Sequence, residues 1–260
     1  MRQRLPLPIF VAALIGGAFV VLPVVALVAR APWGRFGDVL AGEGARTALR
    51  LSLEVSLAAT VLSVLFGVPL AWVLARREFR GRAVVRAMVV LPIVLPPVVA
   101  GVGLLEALGR RGVVGGWLER FFGIQLTFST AGAIVAATFV SMPLVILATE
   151  AGFRGLDRRF EQAAGVLGAT PGYTLRRVVL PMVSPQLAAG AVLAWARALG
   201  EFGATITFAG NLQGRTQTVP LAVYQQLQTD RDGAVALSLV LVVVSIAVLV
   251  ALRERIMGAR

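Results

Sequence analysis

Two charged side chains sit where charge is most costly. Arg197 and Glu201 lie four residues apart inside an otherwise apolar run, 186–209. At that spacing they share one face of a continuous helix and can pair. An ionisable residue within a membrane-length run is a functional-site candidate by default, because its desolvation must be offset by a partner or a polar path. A buried ion pair that only fixes helix packing accounts for the same residues, and both readings stay open at this level. Gly200 and Gly203 flank Glu201 and permit another helix to come close. Thr205, Thr207 and Asn211 follow as candidate polar wall residues.

Other chemistries are excluded by residue type. The chain contains no Cys and no His, and all 25 basic residues are Arg. Disulfides and thiolate metal sites are therefore absent. A zinc-type centre or a Ser–His or Cys–His pair is not expected. Without Lys there is no Gly-x-x-x-x-Gly-Lys phosphate loop, so the chain cannot hydrolyse ATP by that route. No cofactor or metal is expected on it. The net charge of +12 raises nucleic acid as a partner. The arginines, however, lie between apolar runs and not along one soluble face, so nucleic acid is not expected.

The elements that must position these residues are membrane spans. Of 260 residues, 58% are apolar and 15% charged, against about 45–50% and about 25% in soluble domains. The apolar residues gather into six runs, roughly 9–29, 48–75, 85–108, 130–149, 186–209 and 233–252. Each is long enough to cross a bilayer as a helix, the natural way to satisfy backbone polar groups in hydrocarbon. The fold class is all-α, a polytopic membrane protein with a single transmembrane domain over 1–260. The basic start at Arg2 and Arg4 followed by an apolar run resembles a secretory signal. The run to Ala29 is too long for one and reads as a retained first span. Fifteen arginines fall in the segments on one side of the runs and nine on the other. The positive-inside rule then places both termini in the cytoplasm. Glu54 and Glu106 read as charges at the membrane interface.

Two stretches interrupt the pattern. Pro92, Pro96 and Pro97 fall in the third run, where missing amide donors predict a kinked or unwound segment. Such breaks can line a cavity; a plain helix bend is equally compatible. The longest cytoplasmic segment, 150–185, reads as a helix–turn–helix elbow. Asp157 is placed to cap a helix with Glu161 in its first turn. That helix runs through Gln162, Ala163, Ala164, Val166 and Leu167, and Gly168 ends it. Thr170 and Pro171 start a second short helix, which Pro181 is expected to stop. Ser184 and Pro185 repeat the cap-plus-proline start for the next span. An amphipathic elbow lying on the membrane has the same outline.

The elbow resembles the signature loop of ABC importer permeases: Glu-Ala-Ala, three residues, Gly, nine residues, then aliphatic, any residue, Leu, Pro. Here Gln162-Ala163-Ala164, Gly168 and Val178-Val179-Leu180-Pro181 stand at that spacing. Gln162 replaces the usual Glu, with Glu161 one position earlier. The resemblance implies a type I ABC importer permease fold. It implies that Glu161, Gln162, Ala163, Ala164, Gly168, Leu180 and Pro181 form a coupling helix that docks on a separate ATPase subunit, where ATP and Mg are bound. A second resemblance, from about residue 45 onward, is to molybdate-type oxyanion permeases. It rests on Ala196 to Thr205, Gly210-Asn211, Arg215 to Pro220, Tyr224, and Leu91 to Gly101.

These resemblances imply a permease subunit, not an enzyme, for import of molybdate or tungstate. The implied alternative is sulfate or thiosulfate, whose permeases share a similar Gly-Glu-Phe-Gly element. The implied partners are a second permease copy in a homodimer, two ATPase subunits, an external oxyanion-binding protein and membrane lipid, at the plasma (inner) membrane. Arg197, Glu201, Thr205 and Asn211 would line the translocation path or its gate. With eight residues after the last run, any ion-sensing domain is expected on a partner. An ion-coupled secondary transporter and a membrane-embedded enzyme are the rival classes. The elbow motif speaks against the first, and the absence of His, Cys and Lys against the second.

Overall fold

A computed structural model describes residues 7–257. Arg2, Arg4 and Arg260, counted above for orientation, lie outside the described residues, as do the side chains of Arg253 and Arg255. All regular structure among the described residues is helical. The first apolar run forms α1 (Leu7–Ala29), and a short α2 (Phe36–Ala41) leads into α3 (Glu43–Arg76). At 34 residues α3 is roughly 50 Å long, well beyond the hydrocarbon thickness. The third run divides into α4 (Arg82–Val94) and α5 (Pro97–Leu108). A short helix α6 (Gly115–Phe122) precedes the fourth run, α7 (Thr130–Gly155).

Four helices are long and apolar enough to cross a membrane singly: α1, α3, α7 and α14 (Arg231–Met257) over its part Arg231–Val248. The third and fifth runs are each divided by a break. In the third, Leu95 and Pro96 are extended, with φ −62° and ψ 135° and φ −54° and ψ 133°. Pro92 stays within α4, and Pro97 opens α5, where its missing N–H costs nothing. The fifth run departs from the expected continuous helix. It is α11 (Ser184–Leu199) and α12 (Gly203–Phe208), parted at Gly200-Glu201-Phe202. A helix α13 (Val219–Thr229) then precedes α14.

The core sits where α3, α7 and α11 meet. Small residues line the contact: Ala48, Ser52, Ser56, Ala59, Ser63 and Gly67 recur every three to four residues on α3. Gly132, Ala133, Ala136, Ala137 and Ser141 answer them from α7. Such stripes let backbones approach in a solvent that offers no hydrophobic drive between helices. Hydroxyls add polar ties: Ser63 and Ser141 share a hydrogen bond of 3.2 Å, and Trp195 Nε1–H donates to Ser56 Oγ at 2.9 Å. At the elbow end a larger apolar cluster joins Leu74, Ile146, Phe153, Val179 and Val183.

The elbow itself is α8 (Arg159–Val166), α9 (Pro171–Thr174), a π-helical turn (Leu175–Val179) and α10 (Leu180–Met182). Asp157 Oδ1 accepts the Arg159 N–H at 2.9 Å, so Asp157 caps α8. Thr170 Oγ1 accepts the Tyr173 N–H at 3.4 Å, with Pro171 at the first helical position. Two expectations need correction. Pro181 does not stop the second helix. The preceding π-turn, closed by Leu180 N–H to Leu175 carbonyl, widens the coil and lets Pro181 sit in the first turn of α10. Ser184 does not cap α11 through its side chain; its hydroxyl donates back to the Pro181 carbonyl at 2.8 Å. The chain bends by 74° between the elbow and α11.

Candidate coupling elbow and broken span

Two sites emerge, one on the elbow and one at the break in the fifth run. On the elbow, Gly168 ends α8 in the left-handed region, φ 82°, which glycine adopts without a Cβ penalty. That turn folds α8 back beside α9. The two helices enclose a groove lined by Ala164, Leu167, Gly168, Ala169, Thr170 and Tyr173. The rim is apolar and open: Val166 and Leu167 are 88% and 87% exposed. Gln162, Ala163 and Pro181 are exposed, whereas Leu180 packs onto the apolar cluster. Glu161 points the other way. Its Oε1 lies 2.6 Å from Arg76 Nη2 at the end of α3. Successive helical residues differ by about 100°, so turning Glu161 inward leaves Gln162 to face out.

At the break, Arg197 and Glu201 do pair, with Nη1 to Oε2 at 2.6 Å. They do not share one helix, because α11 ends at Leu199. Glu201 instead serves the next helix. Its Oε1 accepts the Ala204 N–H at 2.8 Å, satisfying one of the free donors of α12. The Glu201 side chain is 2% exposed, while Arg197 keeps 35% and so reaches a more open surface. Gly203 makes the junction possible: a Cβ there would stand 2.4 Å from Pro97 Cβ. The two breaks, Leu95-Pro96 and Gly200-Phe202, are thereby packed together through α5 and α12. Gly200 has no such neighbour among the described residues.

The remaining candidates fall into separate surroundings. Thr205 is 1% exposed and belongs to the interior of the chain. Thr207 Oγ1 donates to the Gly203 carbonyl at 2.9 Å. Asn211 belongs to the loop between α12 and α13, where Gln217 Nε2 donates to its Oδ1 at 3.0 Å and also to Gln225. That loop is tied inward, because Val219 N–H donates to Ser52 Oγ at 2.7 Å and Thr130 Oγ1 to the Arg215 carbonyl at 2.8 Å. Glu54 pairs with Arg50 at 2.6 Å on an exposed face, and Glu106 is exposed. Sequence reasoning missed Glu150. It is 4% exposed at the end of α7 and pairs with Arg154 at 3.0 Å and with Arg86 of α4. The Glu150–Arg154 spacing of four was a legible signal; the Arg86 contact was not.

A helical membrane domain with small-residue cores, a projecting elbow and two helix breaks packed together is the architecture of a membrane transport subunit. The chain belongs to the family described as binding-protein-dependent transport system inner membrane component, which it matches over residues 46–258. It is 48% identical over 253 residues to the molybdenum transport system permease protein ModB of Mycobacterium tuberculosis, covering 96% of this chain and 95% of that one. It is 35% identical over 232 residues to the sulfate transport system permease protein CysT of Escherichia coli, covering 88% and 83%. Its fold matches a bacterial ABC transporter that imports the acidic polysaccharide alginate, with TM-score 0.69, 20% identity and coverage of 95% and 93%. The fold is therefore that of ABC importer permeases.

Proposed function

We propose that this chain is the membrane-spanning permease subunit of an importer for molybdate. The carrying observation is its 48% identity, over nearly the whole of both chains, to a permease protein of molybdenum transport. Tungstate, a tetrahedral dianion of similar shape, is a second expected cargo. The 35% identity to a sulfate permease supports sulfate as the second reading.

Two copies of the chain form a homodimer with both termini in the cytoplasm. Each copy has six spans, of which the third and fifth are broken. Two ATPase subunits dock on the elbows, and they carry ATP and magnesium. The groove beside Ala164 and Gly168, with the exposed Val166 and Leu167, supplies a knob of small and apolar residues for that contact. An external binding protein delivers the ion. Selection can then reside in that protein, and the permease needs only a weakly polar path with alternating gates. The scarcity of charge within the spans fits this division, since each unpaired intramembrane charge costs several kcal/mol, roughly 2.5–3.5 on insertion scales. Arg197, the more open member of its pair, and Glu201 stand at the junction of both breaks, where a gate would move.

The cargo is tested by isothermal calorimetry on the cognate binding protein. Molybdate is expected to bind more tightly than sulfate. A preference for sulfate overturns the cargo and leaves the permease assignment standing.

A further inference from the structure

We propose that Arg76 and Glu161 form an intramolecular strut that carries movement of the elbow into α3. The inference rests on the reading of the elbow as an ATPase-docking element. It assigns Glu161 to positioning within this chain and leaves Gln162, Ala163 and the exposed rim to meet the partner.

The observation that demands a strut is how little else holds α8. None of its residues is buried. It leans chiefly on α9 and the π-turn, its own continuation in the elbow. Between it and α3 lies a cleft of about 230 Å³, bounded by Trp72, Glu161, Gly165, Ala169, Pro171 and Thr174. Apolar packing therefore does not lock α8 to the spans. Across that cleft reaches Arg76, with a side chain 9% exposed, to a Glu161 side chain 23% exposed. The same Nη2 donates to the Leu156 carbonyl at 3.2 Å, at the C-terminal end of α7. A cation suits that end, where carbonyls are free and the helix dipole is negative. Trp72, one turn earlier on α3, lies under the guanidinium at 5.7 Å and meets Phe153 of α7 edge-on at 5.2 Å. Arg76 is thus held to α3 through Trp72 and to α7 through the Leu156 carbonyl, and it holds α8 through Glu161. A guanidinium so anchored has little freedom left to lose, so displacing α8 pulls on α3 without slack.

The test uses the reconstituted complex of permease, ATPase subunits and binding protein. Glu161→Ala, Arg76→Ala and the double variant are compared for ATPase co-purification, ATP hydrolysis and ions imported per ATP. Co-purification and hydrolysis are expected to persist in all three. Import per ATP falls about fivefold or more in each single variant, and the double variant is no worse than either single. An unchanged ratio overturns the strut. So does loss of the ATPase in Glu161→Ala alone, which would place Glu161 on the partner. Import by the unaltered chain without any ATPase overturns the underlying reading, a distinguishable result. Should the alanine variants fail to insert, the Cys-free background permits Arg76→Cys with Glu161→Cys, joined by a bifunctional thiol reagent. The joined protein is expected to keep its import per ATP. Loss of import that returns when the link is reduced overturns the strut.

Discussion

A Gly168→Asp chain inserts into the membrane at the unaltered level and imports no ion. The reason lies in two properties of the position. Its φ of 82° is left-handed, which costs a side-chain-bearing residue about 1 kcal/mol or more. A Cβ there would meet nothing within 4 Å among the described residues, so the fold has room for the change. The damage falls outside the chain. Gly168 lines the open groove of the elbow, and a carboxylate there occupies the space that the proposed docking gives to the partner surface. It also adds negative charge where α8 ends and the dipole is already negative. Import assayed in cells, with membrane insertion followed by immunoblot, checks this. Normal import by the inserted variant removes the elbow from the coupling machinery.

The second large effect belongs to Glu201. In Glu201→Ala, Arg197 loses its partner and the Ala204 N–H loses its acceptor in one step. Breaking a fully buried pair costs about 3–5 kcal/mol; here the cost is smaller, because Arg197 keeps 35% of its side chain exposed. Import is expected to fall more than about tenfold, or about 1.4 kcal/mol on the transport barrier. Glu201→Gln separates the two roles of the residue. Its amide oxygen can still accept from Ala204, so the thermal midpoint in detergent largely recovers, while the charge balance and the import do not. Full recovery of import in Glu201→Gln reduces the pair to a packing device.

How far these features were legible depended on whether their cause was local. Pro96-Pro97 announces its break, because a proline removes a donor whatever surrounds it. Gly168, Thr170 and Pro171 likewise announce a left-handed stop and a capped restart, and the elbow folds as those residues dictate. The break at Gly200-Glu201-Phe202 was not legible. Two glycines and a carboxylate between apolar stretches fit a continuous helix equally well, and the close approach of Pro97 to Gly203 is visible only in the fold. The π-turn at Leu175–Val179 was hidden for a related reason. Nothing in Leu-Arg-Arg-Val-Val marks a widened coil; the proline six residues on from Leu175 is accommodated by it. Pairings over long separations, Arg76 with Glu161 and Arg86 with Glu150, required the fold to be known. The motif spacing placed Glu161 beside Gln162 but could not say which of the two faces inward.

Uptake in sealed vesicles tests the central claim most directly. Permease and ATPase subunits are reconstituted, loaded binding protein is supplied outside, and ATP with magnesium is trapped inside. Molybdate is expected to accumulate only when both the ATPase subunits and trapped ATP are present, with proton and sodium gradients collapsed. Accumulation driven by an ion gradient in vesicles that contain the permease alone would contradict the account.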